Sequence, residues 1–423
     1  MDTLFFISIA IFTISYAFIV SEKIHRTVIA LSGAIVMIIS GVLTQEIALK
    51  HIDFNTIGLL IGMMILVGIA KDSGMFEFAA IWTCKKVKGR PFPIFFAISF
   101  LVAIFSAFLD NVTTVLLMTP VIFVIANNLK INPTPMLVGA ILLSNTGGLA
   151  TLIGDPPNIL IGSATDLTFN DFLINLGPIS LITSFSTALI VVFWYRKKLV
   201  CSQATRENIM RFNPRDALTN KSLLIKSLIS IGVVLIGFMT HEITGLDGAT
   251  IALGGATLLF LLTLNDPEKH LHNVEWTSIF FFVGLFILVG GLVEVGAIGN
   301  LAKKLVSITA GNLHFTAMIL MWGSAIISGV VDNIPLVATM IPLIKDVVAI
   351  TGMPSEPLWW ALAIGADIGG NATLLGASAN VVVASIAEKE GNRISFFAFL
   401  KIGLVTSFVS MVLATGYYLL KII

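Results

Sequence analysis

Residues 106–120 read Ser106-Ala-Phe-Leu-Asp110-Asn111-Val-Thr-Thr-Val-Leu-Leu-Met-Thr-Pro120, and the pattern returns in Ser328-Gly-Val-Val-Asp332-Asn333-Ile-Pro-Leu-Val-Ala-Thr-Met-Ile-Pro342. In each copy an Asp-Asn pair separates two apolar arms, and the copies stand 222 residues apart. An ordinary span would leave this polar pair close to lipid, where it is costly. A re-entrant hairpin buries the pair in protein at its tip. We therefore predict hairpins over 93–127 and 315–349 rather than pairs of ordinary spans.

A second motif recurs at the same offset. It reads Gly147-Gly-Leu-Ala-Thr-Leu-Ile-Gly-Asp155-Pro-Pro-Asn158 in the first half and Gly369-Gly-Asn-Ala-Thr-Leu-Leu-Gly-Ala-Ser-Ala-Asn380 in the second. Glycine weakens a helix and two consecutive prolines remove two amide donors, so the helix must unwind there. The motif predicts broken helices over 136–164 and 358–387. Because the repeat keeps its register without a gap from residue 53 to residue 158, it indicates a duplicated gene.

The composition is that of a membrane protein. Of the 423 residues, 57% are hydrophobic and 12% are charged, and the mean hydropathy is +0.98. A soluble domain carries about 25% charged residues. The net charge of +1 gives no reason to expect a nucleic-acid partner. Cys84 and Cys201 are isolated, and the sequence has no metal-ligand or phosphate-loop spacing, so we expect no cofactor, no bound metal and no enzymatic activity.

The number of apolar segments predicts the topology. Besides the hairpins there are ten segments of spanning length, five in each half. Because five is odd, the halves point in opposite directions, which predicts an all-α polytopic membrane protein of two inverted-topology repeats. The expected division is an N-terminal repeat over 1–195, a cytoplasmic linker over 196–222 and a C-terminal repeat over 223–423. Lysine and arginine cluster in the loops of one side, which places both termini on the outer side of an inner membrane.

The four motifs supply the candidate site. Hydroxyl, amide and backbone carbonyl groups at unwound helix ends can replace water around a solute. A carboxyl group in a dry interior can carry a proton by opening first to one side and then to the other. The candidate proton- or ion-coupling residues are Asp110, Asp332, Asp155 and Asp367. The candidate substrate-binding residues are Asn111, Thr113, Thr114, Gly148, Thr151, Asn158, Asn333, Asn371, Thr373, Ser378 and Asn380.

The two copies differ at a few positions within these motifs. Asp155 has Ala377 as its repeat partner, and Asp367 has Asn145. The carboxylate thus stands at a different motif position in each repeat, and we expect these mismatches to govern substrate choice. Outside the motifs, the pair Trp359-Trp360 lies near the start of a span and is expected at the membrane interface.

Taken together, the Asp-Asn tips and the two Gly-Gly-x-x-Thr-x-x-Gly-x-x-x-Asn segments resemble the ion transporter superfamily, most closely its arsenite-permease and P-protein branch. Sodium–proton antiporters and divalent anion–sodium symporters are related to this branch. The resemblance covers nearly the whole chain and implies secondary transport by a scaffold and a moving transport domain, commonly in an elevator movement. Sodium-coupled dicarboxylate relatives carry Ser-Asn-Thr at the tips. Here Asp110-Asn111-Val112 and Asp332-Asn333-Ile334 stand instead, which favours protons as the coupling ion.

We therefore expect proton-coupled efflux of arsenite or antimonite across the inner membrane. Neutral arsenite resembles a small polyol, which hydroxyl, amide and carbonyl groups can bind without thiols. The alternatives are a small-anion or dicarboxylate permease, for which the motifs contain no lysine or arginine, and a sodium–proton antiporter using Asp110 and Asp332. A channel fits the paired hairpins less well. The expected partners are the lipid bilayer, the solute and a proton or sodium ion, and we also consider a homodimer and a soluble ATPase partner.

Overall fold

The computed structural model describes residues 3–21, 23–199, 201, 203–264 and 266–422. Within these ranges the regular secondary structure is helical, and no strand is present. Nine of the described helices are long and apolar enough to cross a membrane, and three further apolar helices are shorter. The prediction of an all-α polytopic membrane protein is therefore confirmed.

The first half of the described chain contains ten helices. The segment predicted as one broken helix is observed as two helices with an unwound stretch between them at residues 149–155. The ten helices are α1 Thr3–Ser21, α2 Arg26–Ile39, α3 Gln45–Lys50, α4 Phe54–Lys71, α5 Met75–Lys86, α6 Pro91–Phe108, α7 Asn111–Leu129, α8 Thr134–Gly148, α9 Pro156–Ala164 and α10 Phe169–Tyr195.

The remaining described helices begin with α11 Gln203–Arg211 in the linker, which is followed by a 3-10 turn over Pro214–Ala217. An unwound stretch at residues 370–377 again separates the two helices of the second repeat that correspond to α8 and α9. The helices after the linker are α12 Lys221–Met239, α13 His241–Thr244, α14 Gly248–Thr263, α15 Pro267–Leu271, α16 Trp276–Glu294, α17 Ala297–Thr309, α18 Leu313–Ser328, α19 Asn333–Thr351, α20 Glu356–Gly369, α21 Ser378–Lys389 and α22 Phe396–Lys421.

Two helix pairs at the centre of the molecule pack through repeat-related glycines. On α4, a Cβ at Gly62 would lie 2.5 Å from the carbonyl carbon of Ala252 on α14. On α16, a Cβ at Gly284 would lie 2.6 Å from the carbonyl carbon of Ala30 on α2. Since a real side chain cannot approach a backbone this closely, glycine is what lets each pair touch. The same contact therefore occurs twice, at positions 222 residues apart.

Hydrogen bonds at the helix ends give the direction of these pairs. The hydroxyl of Thr27 donates to the carbonyl oxygen of Thr277 over 2.7 Å, so α2 and α16 begin side by side. At the other end of α16, Glu294 lies 3.1 Å from the ring of His51, three residues before α4 begins. Repeat-related helices α4 and α16 therefore begin at opposite ends of the molecule.

The linker between the halves is folded against α5. The Lys85 amine donates to the carbonyl oxygen of Phe212 over 2.9 Å, and the Thr219 hydroxyl donates to that of Asp72 over 2.5 Å. The backbone at Gly74 has φ +79°, and a Cβ at this position would overlap the carbonyl oxygen of Ala217. The contact between Gly74 and Ala217 therefore requires both the left-handed backbone conformation and the missing side chain of glycine.

The expectation for the tryptophan pair is wrong. Trp359 is 4% exposed and Trp360 is 1% exposed, so both belong to the core rather than to an interfacial belt. The indole N–H of Trp360 donates to Glu356 over 3.1 Å, and its ring packs edge-on against Phe172. The tertiary packing of α20 against α18 and, through Phe172, against α10 accounts for this, because it encloses the start of α20.

Candidate functional site

An aspartate starts the second arm of each Asp-Asn motif by capping its helix. The Asp110 carboxylate accepts hydrogen bonds from the backbone N–H of Val112 at 3.0 Å and of Thr113 at 2.9 Å, and from the Thr113 hydroxyl at 2.5 Å. Asp332 likewise accepts from the backbone N–H of Ile334 at 3.1 Å. Aspartate is a preferred N-cap residue because it satisfies N–H groups that lack a helical partner.

Asp155 joins the two tips at the centre of the molecule. One of its carboxylate oxygens accepts a hydrogen bond from the Asn111 amide at 2.7 Å, and the other accepts from the Asn333 amide at 3.4 Å. All three side chains are buried. The structure therefore brings together one residue from each tip and one from the first unwound segment, which the sequence analysis had placed in one site.

An asparagine chain extends this contact to the second unwound segment. The Asn145 amide donates to Asn371 at 2.9 Å and to Asn380 at 3.0 Å, and its oxygen accepts from Asn111 at 3.2 Å. Asn145 is not among the binding residues predicted from the sequence. Its position opposite Asp367 in the repeat was the signal that could have identified it. We call Asn111, Asn145, Asp155, Asn333, Asn371 and Asn380 the central network.

The asparagine that ends each Gly-Gly motif holds the unwound backbone together. The Asn158 amide donates to the carbonyl oxygens of Gly148 at 3.3 Å and Thr151 at 3.0 Å. The Asn380 amide donates to Gly370 and Thr373, both at 2.8 Å. Each side chain thus replaces helical hydrogen bonds that the break removes, so that buried carbonyl groups keep a partner.

Three threonines predicted to bind substrate have mainly structural contacts. The Thr151 hydroxyl donates to the carbonyl oxygen of Ala107, and the Thr373 hydroxyl accepts from the backbone N–H of Leu375 at 3.0 Å. The Thr114 hydroxyl is buried, and no described residue forms a hydrogen bond with it. These residues lie in the site region, but their hydroxyls are used in, or enclosed by, the protein itself.

Asp367 is a fully buried carboxyl group in α20. Asn158 lies near it, yet no hydrogen bond of normal geometry joins Asp367 to the part of the chain that the structure describes. The side-chain oxygen of Asn158 is unpaired as well. Asp155 lies within electrostatic range of Asp367. A proton on Asp367 would supply a hydrogen-bond donor in a buried region that holds unpaired acceptors.

Arg26, at the start of α2, is a site residue that the sequence analysis missed. Its Nη1 lies 2.9 Å from the Asp332 carboxylate and 2.5 Å from the Ser378 hydroxyl. Its guanidinium carbon lies 4.8 Å from the centre of the Phe281 ring. In the sequence, Arg26 is one of the lysines and arginines that cluster in the loops of one side. No local pattern links it to Asp332, which lies 306 residues further along the chain.

A cavity of about 380 Å³ opens beside the second tip and is lined by Arg26, Asp332, Ser378 and Glu275, among others. Glu275 immediately precedes α16. Burial raises the pKa of Glu275 to about 7; the charge of Asp110 adds to this rise, while the Ser278 hydroxyl and Arg26 oppose it. At the first tip, the void beside Asp110 measures only about 10 Å³. The two tip aspartates are therefore related in sequence but unequal in the space beside them, although Val112 of the first tip also lines the larger cavity.

Two solved structures resemble this fold. The YdaH transporter of Alcanivorax borkumensis aligns with a TM-score of 0.58 at 14% identity, over 99% of this chain and 97% of that one. The antimetabolite efflux pump MtrF of Neisseria gonorrhoeae aligns with a TM-score of 0.53 at 10% identity, over 100% of this chain and 95% of that one. At such identities the likeness concerns the fold alone.

Sequence relatives cover the chain at higher identity. An uncharacterised transporter of Mycobacterium tuberculosis is 41% identical over 422 residues, which is 98% of either chain. The P protein of Mus musculus is 33% identical over 497 aligned positions, which include 98% of this chain and 60% of that protein. The relationship to P proteins is thus confirmed, whereas the arsenite-permease branch stays a prediction. Residues 16–365 match the family described as citrate transporter, and the chain therefore belongs to this family of membrane transporters.

Proposed function

We propose that the protein is a secondary active transporter that moves a small solute by alternating access and couples this movement to protons. The unequal exposure of the two tips carries the proposal. Asp332 borders a cavity of about 380 Å³, whereas Asp110 borders a void of about 10 Å³, although the central network joins both tips. A transporter that exposes its site to one side at a time is expected to have one open and one closed approach.

The inverted-repeat architecture supports this proposal. Helices α4 and α16 are related by the repeat and begin at opposite ends of the molecule. Exchanging the conformations of two such repeats would close the open approach and open the closed one. We retain the repeat boundaries 1–195 and 223–423, the hairpins, and an inner-membrane location with both termini outside as parts of the proposal.

Proton coupling is assigned to the buried carboxyl groups. In the described part of the chain, neither Asp155 nor Asp367 forms an ion pair with a basic side chain. An unpaired carboxylate in a dry interior is costly, so such a group favours taking up a proton. A site that gains and loses this proton as it opens to either side couples solute movement to the proton gradient.

Two substrate classes are consistent with the site. The prediction from the sequence is arsenite or antimonite, which as neutral hydroxides would bind to amides and carbonyls of the central network. A small carboxylate anion is the second candidate. It is favoured by the guanidinium of Arg26 in the cavity and by the description of the family as citrate transporter.

Everted membrane vesicles with a pH-sensitive dye test the proposed function. Arsenite, antimonite, succinate, citrate and sodium chloride would be added separately, and we expect proton movement with one solute class but not with sodium alone. Asp155→Asn should abolish this response, because an amide cannot carry the proton. Asp166→Asn is the matched control, since Asp166 is exposed. A response to sodium alone would instead establish sodium–proton antiport, and solute flux without proton movement would indicate a channel.

A further inference from the structure

Arg26 lies outside all four repeated motifs, yet its side chain reaches the cavity at the second tip. We propose that Arg26 binds a carboxylate group of the transported solute, and that Asp332 forms an ion pair with Arg26 when no solute is bound. The inference rests on the proposed transport function and names the substrate class as small carboxylate anions.

The Arg26 guanidinium has N–H groups that donate no hydrogen bond to the described residues. Among the described residues its hydrogen bonds go to Asp332 and Ser378, and both are made by Nη1. The side chain is 28% exposed, and Phe281 covers one face of the guanidinium plane. Arginine presents five N–H donors in a rigid fork that matches a carboxylate. Nε and Nη2 therefore remain for a second carboxylate, and a full bidentate contact requires Asp332 to withdraw.

Asp332 and the solute carboxylate compete for the same cation. The Asp332 oxygen that accepts from Nη1 also accepts from the Ser378 hydroxyl at 2.5 Å. When Asp332 moves away from Nη1, its ion pair with Arg26 is lost and the guanidinium becomes free for an anion. Asp332 and a solute carboxylate therefore bind Arg26 in alternation.

Other titratable groups lie near this pair, and one of them makes carboxylate binding depend on pH. His25 and Glu275 line the same cavity, the charge of Asp332 reaches Tyr16 and Asp155, and that of Asp110 reaches Glu275. Above about pH 7, Glu275 carries a negative charge next to the cavity, and this charge repels an anion. Below that pH Glu275 is neutral, and this repulsion is lost. Carboxylate affinity should therefore rise as the pH falls.

The ion pair also joins two parts of the molecule. Arg26 belongs to α2, which packs against α16, whereas Asp332 and Ser378 belong to the second tip and to the helix after the second unwound segment. Any movement of the tips relative to α2 must break this pair. A solute that replaces Asp332 on Arg26 offsets the cost of breaking the pair, which links solute binding to the movement.

Binding of labelled citrate and succinate to the purified full-length protein in nanodiscs, at pH 6 and pH 8, tests the proposal. We expect Arg26→Gln to weaken binding of whichever anion the wild type binds by at least about ten-fold at pH 6, since a charge-assisted bidentate contact is lost. Lys23→Gln is the matched control. It removes the same charge from an exposed position in the same loop and should bind as the wild type does.

A gain of affinity separates the proposal from misfolding. Asp332→Asn should bind the anion about ten-fold more tightly than the wild type at pH 8, and Glu275→Gln should reduce the difference between pH 6 and pH 8. Unchanged binding in Arg26→Gln, no tighter binding in Asp332→Asn, or no wild-type binding of either anion would each overturn the Arg26 site. The proposed transport function fails separately, if no solute moves protons in wild-type vesicles.

Discussion

Asn158 and Asn380 show how one side chain can hold an unwound helix in place inside a membrane protein. Each amide donates two hydrogen bonds to the carbonyls of its own Gly-Gly motif. In lipid, free backbone carbonyls would be costly, so the break is stable only because the asparagine satisfies them. The glycines also stabilise the break, because without side chains the backbone on its two sides can approach closely.

Replacing Gly148 by alanine should destabilise the first unwound segment. A Cβ at this position would lie 2.6 Å from the carbonyl oxygen of Gly154, which is backbone and cannot move aside as a flexible side chain could. Overpacking of this kind costs about 1–3 kcal/mol. We expect a lower Tm for purified Gly148→Ala in detergent, whereas Gly254→Ala should keep the wild-type Tm because its Cβ would meet no atom within 4 Å. Equal Tm values would contradict the tight contact.

The sequence was sufficient to find most residues of the central network but not Arg26. Asn111, Asn333 and Asp155 lie in repeated motifs of polar residues within apolar sequence, and this contrast marks a site. Arg26 stands at the boundary between a polar loop and an apolar helix, where arginine is ordinary. Its role depends on the packing of α2 beside the second tip, and no local pattern encodes that packing.

At the scale of elements, the start of each second arm is set by its aspartate cap. The helices α7 and α19 begin directly after Asp110 and Asp332, as the Asp-Asn motif predicted. The lengths of these arms do not decide between hairpins and spans, since α7 and α19 each have 19 residues and could cross a bilayer. The hairpins stay a prediction, and the structure shows that Asn111 and Asn333 are buried against Asp155.

Asp110→Ala should reveal the energetic weight of the cap. Loss of an aspartate N-cap costs about 0.5–2 kcal/mol, and Asp110 makes three hydrogen bonds within its own first turn. Asp110→Asn should keep most of the stability, because asparagine caps nearly as well. Denaturation in detergent measures both, with Asp247→Ala as the control because Asp247 starts α14 without a side-chain capping bond. Equal losses in Asp110→Ala and Asp247→Ala would contradict the capping role.

The same pair of variants separates two roles of Asp110. If Asp110 also carries a coupling proton, as the sequence suggested, Asp110→Asn folds normally but loses proton movement in vesicles. If the carboxyl only caps α7, Asp110→Asn keeps both its normal folding and its proton movement in vesicles. The chemistry of the cap and the chemistry of coupling can thus be told apart with one substitution that keeps an accepting oxygen at the cap but removes the carboxyl group.

At the scale of the whole molecule, a nearly symmetric sequence adopts an asymmetric arrangement. The repeat predicts two equivalent tips, yet Asp332 borders the cavity of about 380 Å³ and Asp110 borders a void of about 10 Å³, while Val112 of the first tip also reaches the larger cavity. With the proposed inverted repeats either tip can be open, because exchanging the repeat conformations gives the state related by the pseudo-two-fold axis. The direction of opening is therefore a property of the conformational equilibrium, which the repeat pattern leaves undetermined.

Cysteine labelling at repeat-related positions tests this exchange. Val331, beside the second tip, lines the cavity, and its partner Leu109, beside the first tip, is 5% exposed. In a Cys201→Ser background, an impermeant maleimide should label Val331→Cys rapidly from the side with the basic loops and leave Leu109→Cys protected. Solute together with a proton gradient should slow labelling of Val331→Cys and expose Leu109→Cys to the opposite side.

The outcome distinguishes transport mechanisms because the two positions are expected to respond in opposite directions. In alternating access, the closed approach can open only when the open one closes, so the two labelling rates must change with opposite signs. A channel would label both positions at once, from both sides. Rates that do not respond to solute would contradict the coupling of cavity and tip, even if the fold and the family assignment are correct.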